Sequence, residues 1–434
     1  MTQPHVLLCT VGTGNIDQLR ETLLEPLKKS IRKGDWKHVV LLPSRLTAEN
    51  ASLLQAEVQD VPIVIRPLPQ PGAEDDVDAC FAHFDRTIEE QLAAGIAAEA
   101  LLADFTRGTK AMSAALVLAA IRHDLPQLRY ISGSQRDKRG MVVPGTEIVV
   151  EVRTTIATAR KRLDDAYRFF IHGNFAAVLD ILPDAASPLF PVWPDELCRL
   201  ADFVRPLAAY YAAWDRLDYK GAQRIEMSSG HVGSVRWEAL QPTPEVREWV
   251  AALAEPLPEE PQPRAARLRL LAADLLANGE RRLRHQQFED AVIRAYRVLE
   301  LVGQLRLCDQ GIHSDDVPPT HPVVQQFQAE LARKGGNPLS QDSRGRLLAA
   351  REHVARLLKR LGDTLAQRLL DLGNEGVVKA KARNNSALIH GFEAVSGSDP
   401  TPLRELYQKL GQLLVDDDPA ARERLRLARF LEMT

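Results

Sequence analysis

The chain's densest group of reactive side chains is Lys379-Ala380-Lys381-Ala382-Arg383-Asn384-Asn385-Ser386-Ala387-Leu388-Ile389-His390-Gly391-Phe392. A histidine titrates near neutrality and can exchange protons with the 2′-oxygen or the leaving 5′-oxygen of an RNA linkage. An arginine offers a fixed fork of donors to phosphate oxygens as charge builds on them. His390 and Arg383 are therefore candidate catalytic residues, with Asn384 orienting the phosphate or the imidazole. Lys379 and Lys381 add positive charge for RNA without base preference. The RNA 2′-hydroxyl is an internal nucleophile, so this chemistry calls for no metal-bound water. Asn385 or Ser386 could cap a helix here. If the helix instead runs through, Arg383 and His390 share a face about 10.5 Å apart. That gap is wide for one pair, but two copies packed about a dyad would bring both pairs into a single cleft. The bare spacing also fits a solvated arginine and a helix-terminal histidine.

A second set of residues lies on two loops near the amino end. One is Thr10-Val11-Gly12-Thr13-Gly14, and the other runs from Asp104 through Thr106-Arg107-Gly108-Thr109-Lys110 to Met112. Glycines and small hydroxyl residues let backbone N–H groups approach a phosphate or a base closely, and Lys110 contributes a charge. Neither familiar nucleotide fingerprint is complete. A dinucleotide loop needs G-x-G-x-x-G, but Gly12-Thr13-Gly14 is followed by Asn15-Ile16-Asp17. A P-loop needs glycine where Ala103 stands. For the first loop alone, a plain β–α turn is the simpler reading.

The elements that must hold these loops alternate. Short apolar runs at His5–Thr10, His38–Leu42, Pro62–Arg66, Ala100–Phe105 and Leu128–Ser132 are separated by amphipathic stretches at about 16–31, 48–58, 77–94 and 110–123. Near-continuous apolar strands between helices imply a parallel sheet covered on both faces. Loops leaving the carboxyl ends of such strands line the ligand crevice. A hairpin of 141–143 with 147–152 is expected at the sheet edge. Beyond Thr154 the strand signal ends, and three helix–turn–helix segments carry Phe175, Tyr219 and Phe288 just past the turn. The fold class is thus a doubly wound, Rossmann-like α/β domain followed by all-α middle and C-terminal regions. The proline- and glutamate-rich stretch Ala254–Arg264 reads as a linker that cannot continue a helix. The domains are then 1–152, a helical connector 153–263, and 264–434.

With 434 residues, Lys+Arg 55 against Asp+Glu 58 and a net charge of -3, the chain has no globally basic surface, so any nucleic-acid site is local. Cys9, Cys80, Cys198 and Cys308 are scattered, and the 11 histidines form no metal-binding pair. Neither a disulfide framework nor a metal site is expected. The start lacks a secretory pattern and no apolar run is long enough for a membrane span, so a cytoplasmic location without membrane contact is expected. Trp193, Trp214, Trp237 and Trp249 are expected to fill cores or a dimer contact. Asp75-Asp76 and Asp416-Asp417-Asp418 read as solvated faces or helix starts. Arg264, Arg267, Arg269, Arg281, Arg282 and Arg284 read as a solvent face, with an RNA path as the alternative.

Two resemblances sharpen this. Asp-x-Thr-x-Gly-Thr-Lys-x-Met after the fourth strand, with Thr-x-Gly-Thr after the first, resembles the CARF domains of CRISPR-associated effectors over residues 1–152. Such domains dimerise and bind cyclic oligoadenylates across the two-fold axis. The resemblance makes Thr10, Gly12, Thr13, Thr106, Arg107, Gly108, Thr109 and Lys110 ligand contacts. Arg107 stands where many relatives have glycine, which leaves the ring size and any cleavage of the ring by the sensor open. The pattern Arg-Asn…Ser…Leu-x-His-Gly, with the helix around Gln287–Arg297, resembles the HEPN ribonucleases over about 265–434. By it, Arg383 and His390 are catalytic and Asn384 auxiliary.

The order of the two resemblances matches the CARF–HEPN effectors of type III CRISPR systems. It implies a homodimeric, metal-independent endoribonuclease without a cofactor, activated by cyclic tetra-adenylate or cyclic hexa-adenylate. Its substrate is single-stranded RNA, and its product a 2′,3′-cyclic phosphate. The competing readings are a non-catalytic regulator that keeps the sensor but only holds RNA or a toxin partner, a metal-dependent nuclease on the same sensor, and a plain helical scaffold.

Overall fold

The computed structural model describes residues 5–136, 138, 142–143, 145–184, 193–228, 232–375 and 400–430. The chain divides into two compact units, Met1–Arg205 and Pro206–Thr434. The division falls inside a helix that contains Pro206, rather than at 152/153 or 263/264.

In the first unit six strands form one sheet: β1 Val6–Val11, β2 His38–Pro43, β3 Ile63–Ile65, β4 Leu101–Asp104, β5 Gln127–Gly133 and β6 Glu147–Arg153. Their order is β3-β2-β1-β4-β5-β6, parallel except for the antiparallel β5–β6 edge. The alternation of side chains explains why the strands read as continuous apolar runs. Leu7, Cys9, Leu41 and Leu102 pack on one face of the sheet, and Val6, Leu8, Leu42 and Ala103 on the other. Helices α1 Glu25–Arg32 and α2 Ala48–Glu57 supply side chains to the first core, and α3 Val77–Ala93 and α4 Lys110–Arg122 to the second. The expected edge hairpin is wider than the sequence suggested. β6 pairs along its whole length with β5, while Val142 makes only an isolated bridge to Arg136. Backbone pairing with the long β5 satisfies more donors than a three-residue strand can.

Helices α5 Thr155–Ile171 and α6 Phe175–Ile181 follow. The next helix, α7 Asp195–Asp215, runs across the division. The second unit continues with α8 Tyr219–Gln223, α9 Val235–Glu238, α10 Pro244–Ala254, α11 Pro261–Arg284, α12 Phe288–Asp309 and α13 Pro322–Arg333. A short hairpin of β7 Ser340–Gln341 and β8 Leu347–Leu348 precedes α14 Arg351–Arg360 and α15 Ala366–Asn374. The last described helices are α16 Thr401–Asp417 and α17 Ala421–Ala428. The long pair α11–α12 forms the spine of this core.

The three helix–turn–helix segments share one turn. Gly173, Leu217 and Gln286, each two residues before the aromatic, adopt left-handed φ values of 72°, 63° and 58°. Glycine takes this conformation freely, whereas a side chain is strained there. Gln286 is exposed. Gln286→Gly is therefore expected to stabilise the fold by about 0.5–1 kcal/mol after allowing for glycine's freedom in the unfolded chain. Urea unfolding would test it; an unchanged or lower midpoint would contradict this account of the turn.

Three readings need correction. The linker is only Glu255–Glu260, because α11 begins at Pro261 and takes two prolines into its first turn, where their missing N–H groups leave no bond unmade. The arginines of α11 do not form a solvent face. Arg267 and Arg281 are buried, Arg269 binds Asp309 and Asp417, Arg282 binds Asp215, and Arg264 binds Asp315. Asp417 is not solvated either: its side chain is 1% exposed and lies between Arg269 and Arg306. Asp76, by contrast, does start a helix, accepting the Asp78 and Ala79 amides of α3 at 2.9 and 3.2 Å. Trp193, Trp214, Trp237 and Trp249 are all buried.

Candidate functional site

Strand order changes direction between β1 and β4: β2 and β3 lie to one side, β5 and β6 to the other. The two glycine–threonine loops leave the carboxyl ends of these two neighbouring strands, which is where doubly wound sheets open a ligand crevice. They touch through their backbones. A Cβ built on Gly12 would lie 2.9 Å from the Gly108 amide nitrogen and 3.2 Å from its Cα. Gly108 has φ +147°, and a Cβ there would press on Thr10 and Met112 at 3.3 and 3.2 Å. Glycine at both positions is what lets the loops meet.

The motif residues separate into scaffold and exposed edge. Thr10 is fully buried, and its hydroxyl points to the Asp104 carbonyl at 3.5 Å. The Thr106 hydroxyl donates to Asp104 Oδ1 and accepts the Ile131 amide at 2.9 Å. The Thr109 hydroxyl caps α4 by accepting the Met112 amide at 3.1 Å, and donates to the Glu74 carbonyl. These three hydroxyls hold the loops. Thr13, Gly108 and Lys110 are exposed, and Gly12 and Arg107 half-buried.

Arg107 stands out. Its Nε is buried without a hydrogen-bond partner, and burial draws its pKa down, opposed by the nearby carboxylates of Glu147 and Asp104. Lys110 is the first residue of α4 and has no ion pair among the described residues. A cation at a helix N-terminus opposes the macrodipole. Arg107, Lys110 and the α4 N-terminus together favour an anion at the mouth of the crevice.

Sequence reasoning missed the loops' supports. Thr47 donates to the Val11 carbonyl at 2.8 Å, and Asn50 Nδ2 to the Gly12 carbonyl at 3.1 Å. Both follow β2, whose carboxyl end adjoins β1, so a third strand-end loop was the available signal. Asp104 is also fully buried, and burial raises its carboxyl pKa despite hydrogen bonds from Ser30 and Thr106.

Among the described residues one cluster, Asp85, Glu89 and His123, could hold a metal ion. The Arg122 guanidinium already lies there, bound to Asp85 and 3.3 Å from Glu89, and supplies the positive charge.

Lys379, Lys381, Arg383, Asn384 and His390 lie outside the described residues. The described helices that flank them in sequence are α15, which ends at Asn374, and α16, which begins at Thr401. In α12, Tyr296 lies under the Arg351 guanidinium at 5.1 Å, and Arg351 donates to the Gly373 carbonyl at 3.1 Å. No described helix is long and apolar enough to cross a membrane.

Residues 262–414 match the family model of the Csm6 HEPN domain. Among solved structures, Enterococcus italicus Csm6 bound to cyclic hexa-2′-fluoro-hexa-dAMP shares the fold at a TM-score of 0.51 and 12% identity. That match covers 98% of this chain and 99% of the other. Can2 from Sulfobacillus thermosulfidooxidans, solved in complex with cyclic tetra-adenylate, matches at 14% identity over 50% of this chain and 68% of its own. Its TM-score of 0.23 is too low to bear on the fold. No curated protein sequence matches the chain. Residues 262–414 are thus similar to the HEPN domain of Csm6, and the chain shares the fold of Csm6 over nearly its whole length.

Proposed function

We propose that this protein is an endoribonuclease of CRISPR antiviral defence, activated by a cyclic oligoadenylate bound at the β1–β4 crevice. The observation that carries the reading is the backbone contact of Gly12 and Gly108 at the point where strand order reverses, beside the unpartnered Arg107 Nε. The exposed Thr13, Gly108 and Lys110 suit the phosphates of a nucleotide ring. The solved Csm6 neighbour is bound to cyclic hexa-2′-fluoro-hexa-dAMP, which supports the same ligand class here.

In this reading residues 1–152 sense the ring, 153–263 connect, and 264–434 cut. A homodimer presents two Arg383–His390 pairs to one strand of single-stranded RNA. His390 exchanges protons with the 2′-oxygen and the leaving 5′-oxygen while Arg383 and Asn384 hold the phosphate. Lys379 and Lys381 attract the strand. The products are a 2′,3′-cyclic phosphate and a 5′-hydroxyl, and neither metal nor cofactor takes part. The ring activates by binding the active arrangement of the dimer more tightly than the inactive one. The protein acts in the cytoplasm.

Purified protein incubated with labelled RNA, excess chelator, and cyclic tetra-adenylate or cyclic hexa-adenylate in turn tests this. Cleavage stimulated by one ring supports the reading. Binding of a ring without cleavage would favour a non-catalytic regulator, and loss of cleavage in chelator a metal-dependent nuclease. Arg107→Ala should raise the half-maximal concentration of the effective ring about 10-fold, the loss of one charge-assisted hydrogen bond. An unchanged activation curve would remove Arg107 from the site.

A further inference from the structure

Beneath the loop that follows β4, one carboxylate faces two elements. Asp104 Oδ1 accepts the Thr106 amide at 2.8 Å and the Thr106 hydroxyl, and so fixes the turn. Asp104 Oδ2 accepts the hydroxyl of Ser30, which lies 74 residues away in sequence on α1 and is fully buried. Ser30 also holds a cation that acts on this carboxylate: its main-chain carbonyl accepts Arg129 Nη1 at 3.0 Å. Arg129 in turn reaches Glu151 of β6 at 3.1 Å and stands 5.3 Å over the Trp36 ring. One residue of α1 thus holds two buried charged groups, Asp104 with its side-chain hydroxyl and Arg129 with its main-chain carbonyl.

We propose that Ser30 is a positioning residue for the activator: through Asp104 it locks the Thr106–Thr109 turn in the form that presents Arg107 and the Gly108 amide to the ring. The inference rests on the crevice being the cyclic-oligoadenylate site. Without the Ser30 hydroxyl, Oδ2 is a buried carboxylate oxygen with no donor, which is strongly unfavourable. The carboxyl relieves this by rotating toward Arg129 or by taking up a proton. Either change withdraws the lone pairs that face Thr106, and the turn loses its anchor. The effect therefore reaches the ligand loop, although Ser30 itself touches no ligand.

The test is calorimetric binding of cyclic tetra-adenylate and cyclic hexa-adenylate, each separately, to the full-length protein and its variants. Ser30→Ala is expected to weaken binding of the effective ring about 10-fold. Ser30→Cys, which keeps the volume and a weaker donor, should fall between. Combining Ser30→Ala with Thr106→Val should give less than the sum of the two losses, because both act through Asp104. A hydroxyl that merely supports the core would lower the unfolding midpoint and leave ring affinity unchanged, and that result overturns the proposal. If Ser30→Ala does not fold, Ser30→Cys decides: intermediate affinity supports the clamp, and wild-type affinity overturns it. Wild-type protein that binds neither ring overturns the crevice reading and the clamp with it. A wild type that binds while Ser30→Ala binds equally well overturns the clamp alone.

Discussion

Alanine in place of His390 is expected to slow activator-stimulated cleavage of single-stranded RNA by about 10²- to 10⁴-fold, the range for losing a positioned general acid–base. The internal 2′-hydroxyl must lose a proton as it attacks, and the 5′-oxygen must gain one as it leaves. His390 follows the sequence's one adjacent Arg-Asn pair, Arg383-Asn384. Arg383→Ala should produce a loss of similar size, and the double variant little more, because groups acting in one step are not additive. Binding of the cyclic oligoadenylate should be unchanged in all three, since the site proposed for it lies in the sheet domain. Replacing Lys379 and Lys381 should act differently, lowering RNA affinity and flattening its salt dependence. Quenched-flow cleavage of a labelled RNA in chelator separates these effects. Ring-stimulated cleavage that survives His390→Ala would place the active site elsewhere.

The sheet was legible because its physics is local. Strands buried on both faces must be apolar at nearly every position, so each of the five parallel strands was bounded to within about two residues of where it lies. The two glycine–threonine loops were legible for the same reason: a turn with φ +147° at Gly108 admits almost nothing but glycine. Partners distant in sequence were not legible. Composition shows that Arg269 and Asp417 are charged, but not that they meet across 148 residues. A row of arginines on one helix therefore looked solvated when most of it is tied inward. Ser30 gave no sign of a role, because a lone serine near a helix end is commonplace and its meaning lies in Asp104. Pro261 and Pro263 misled in the opposite direction, since proline forbids a helix interior but suits its first turn.

That inward wiring sets the second large effect. Asp274→Ala is expected to destabilise the second unit by about 3–5 kcal/mol, the range for breaking a buried charged contact by removing one partner. Asp274 is fully buried in α11 and accepts the Trp214 Nε1 hydrogen and the Tyr219 hydroxyl, each at 2.8 Å. Without it, both donors lie in a core where water cannot replace the carboxylate. Arg281, also buried, would keep Asp215 but lose the favourable field of Asp274. The Phe430 ring packs 3.7 Å below the Arg281 guanidinium and 4.8 Å from Trp214, so the disturbance should extend to the end of α17. The pH dependence has a definite sign. Burial raises the Asp274 carboxyl above the usual carboxylate range, despite Arg281 and the two hydrogen bonds. A raised acid binds its proton more tightly in the folded state, so its contribution is greatest below the unfolded value, about 3.9, and declines as pH rises through the folded one. The gap between wild type and Asp274→Ala should accordingly be wider in mild acid than at neutrality. Urea unfolding at several pH values, followed by tryptophan fluorescence, would measure it. A difference below about 1 kcal/mol at every pH would mean that Trp214 and Tyr219 find other acceptors, and that the buried carboxylate is not what fastens α7 and α8 to α11.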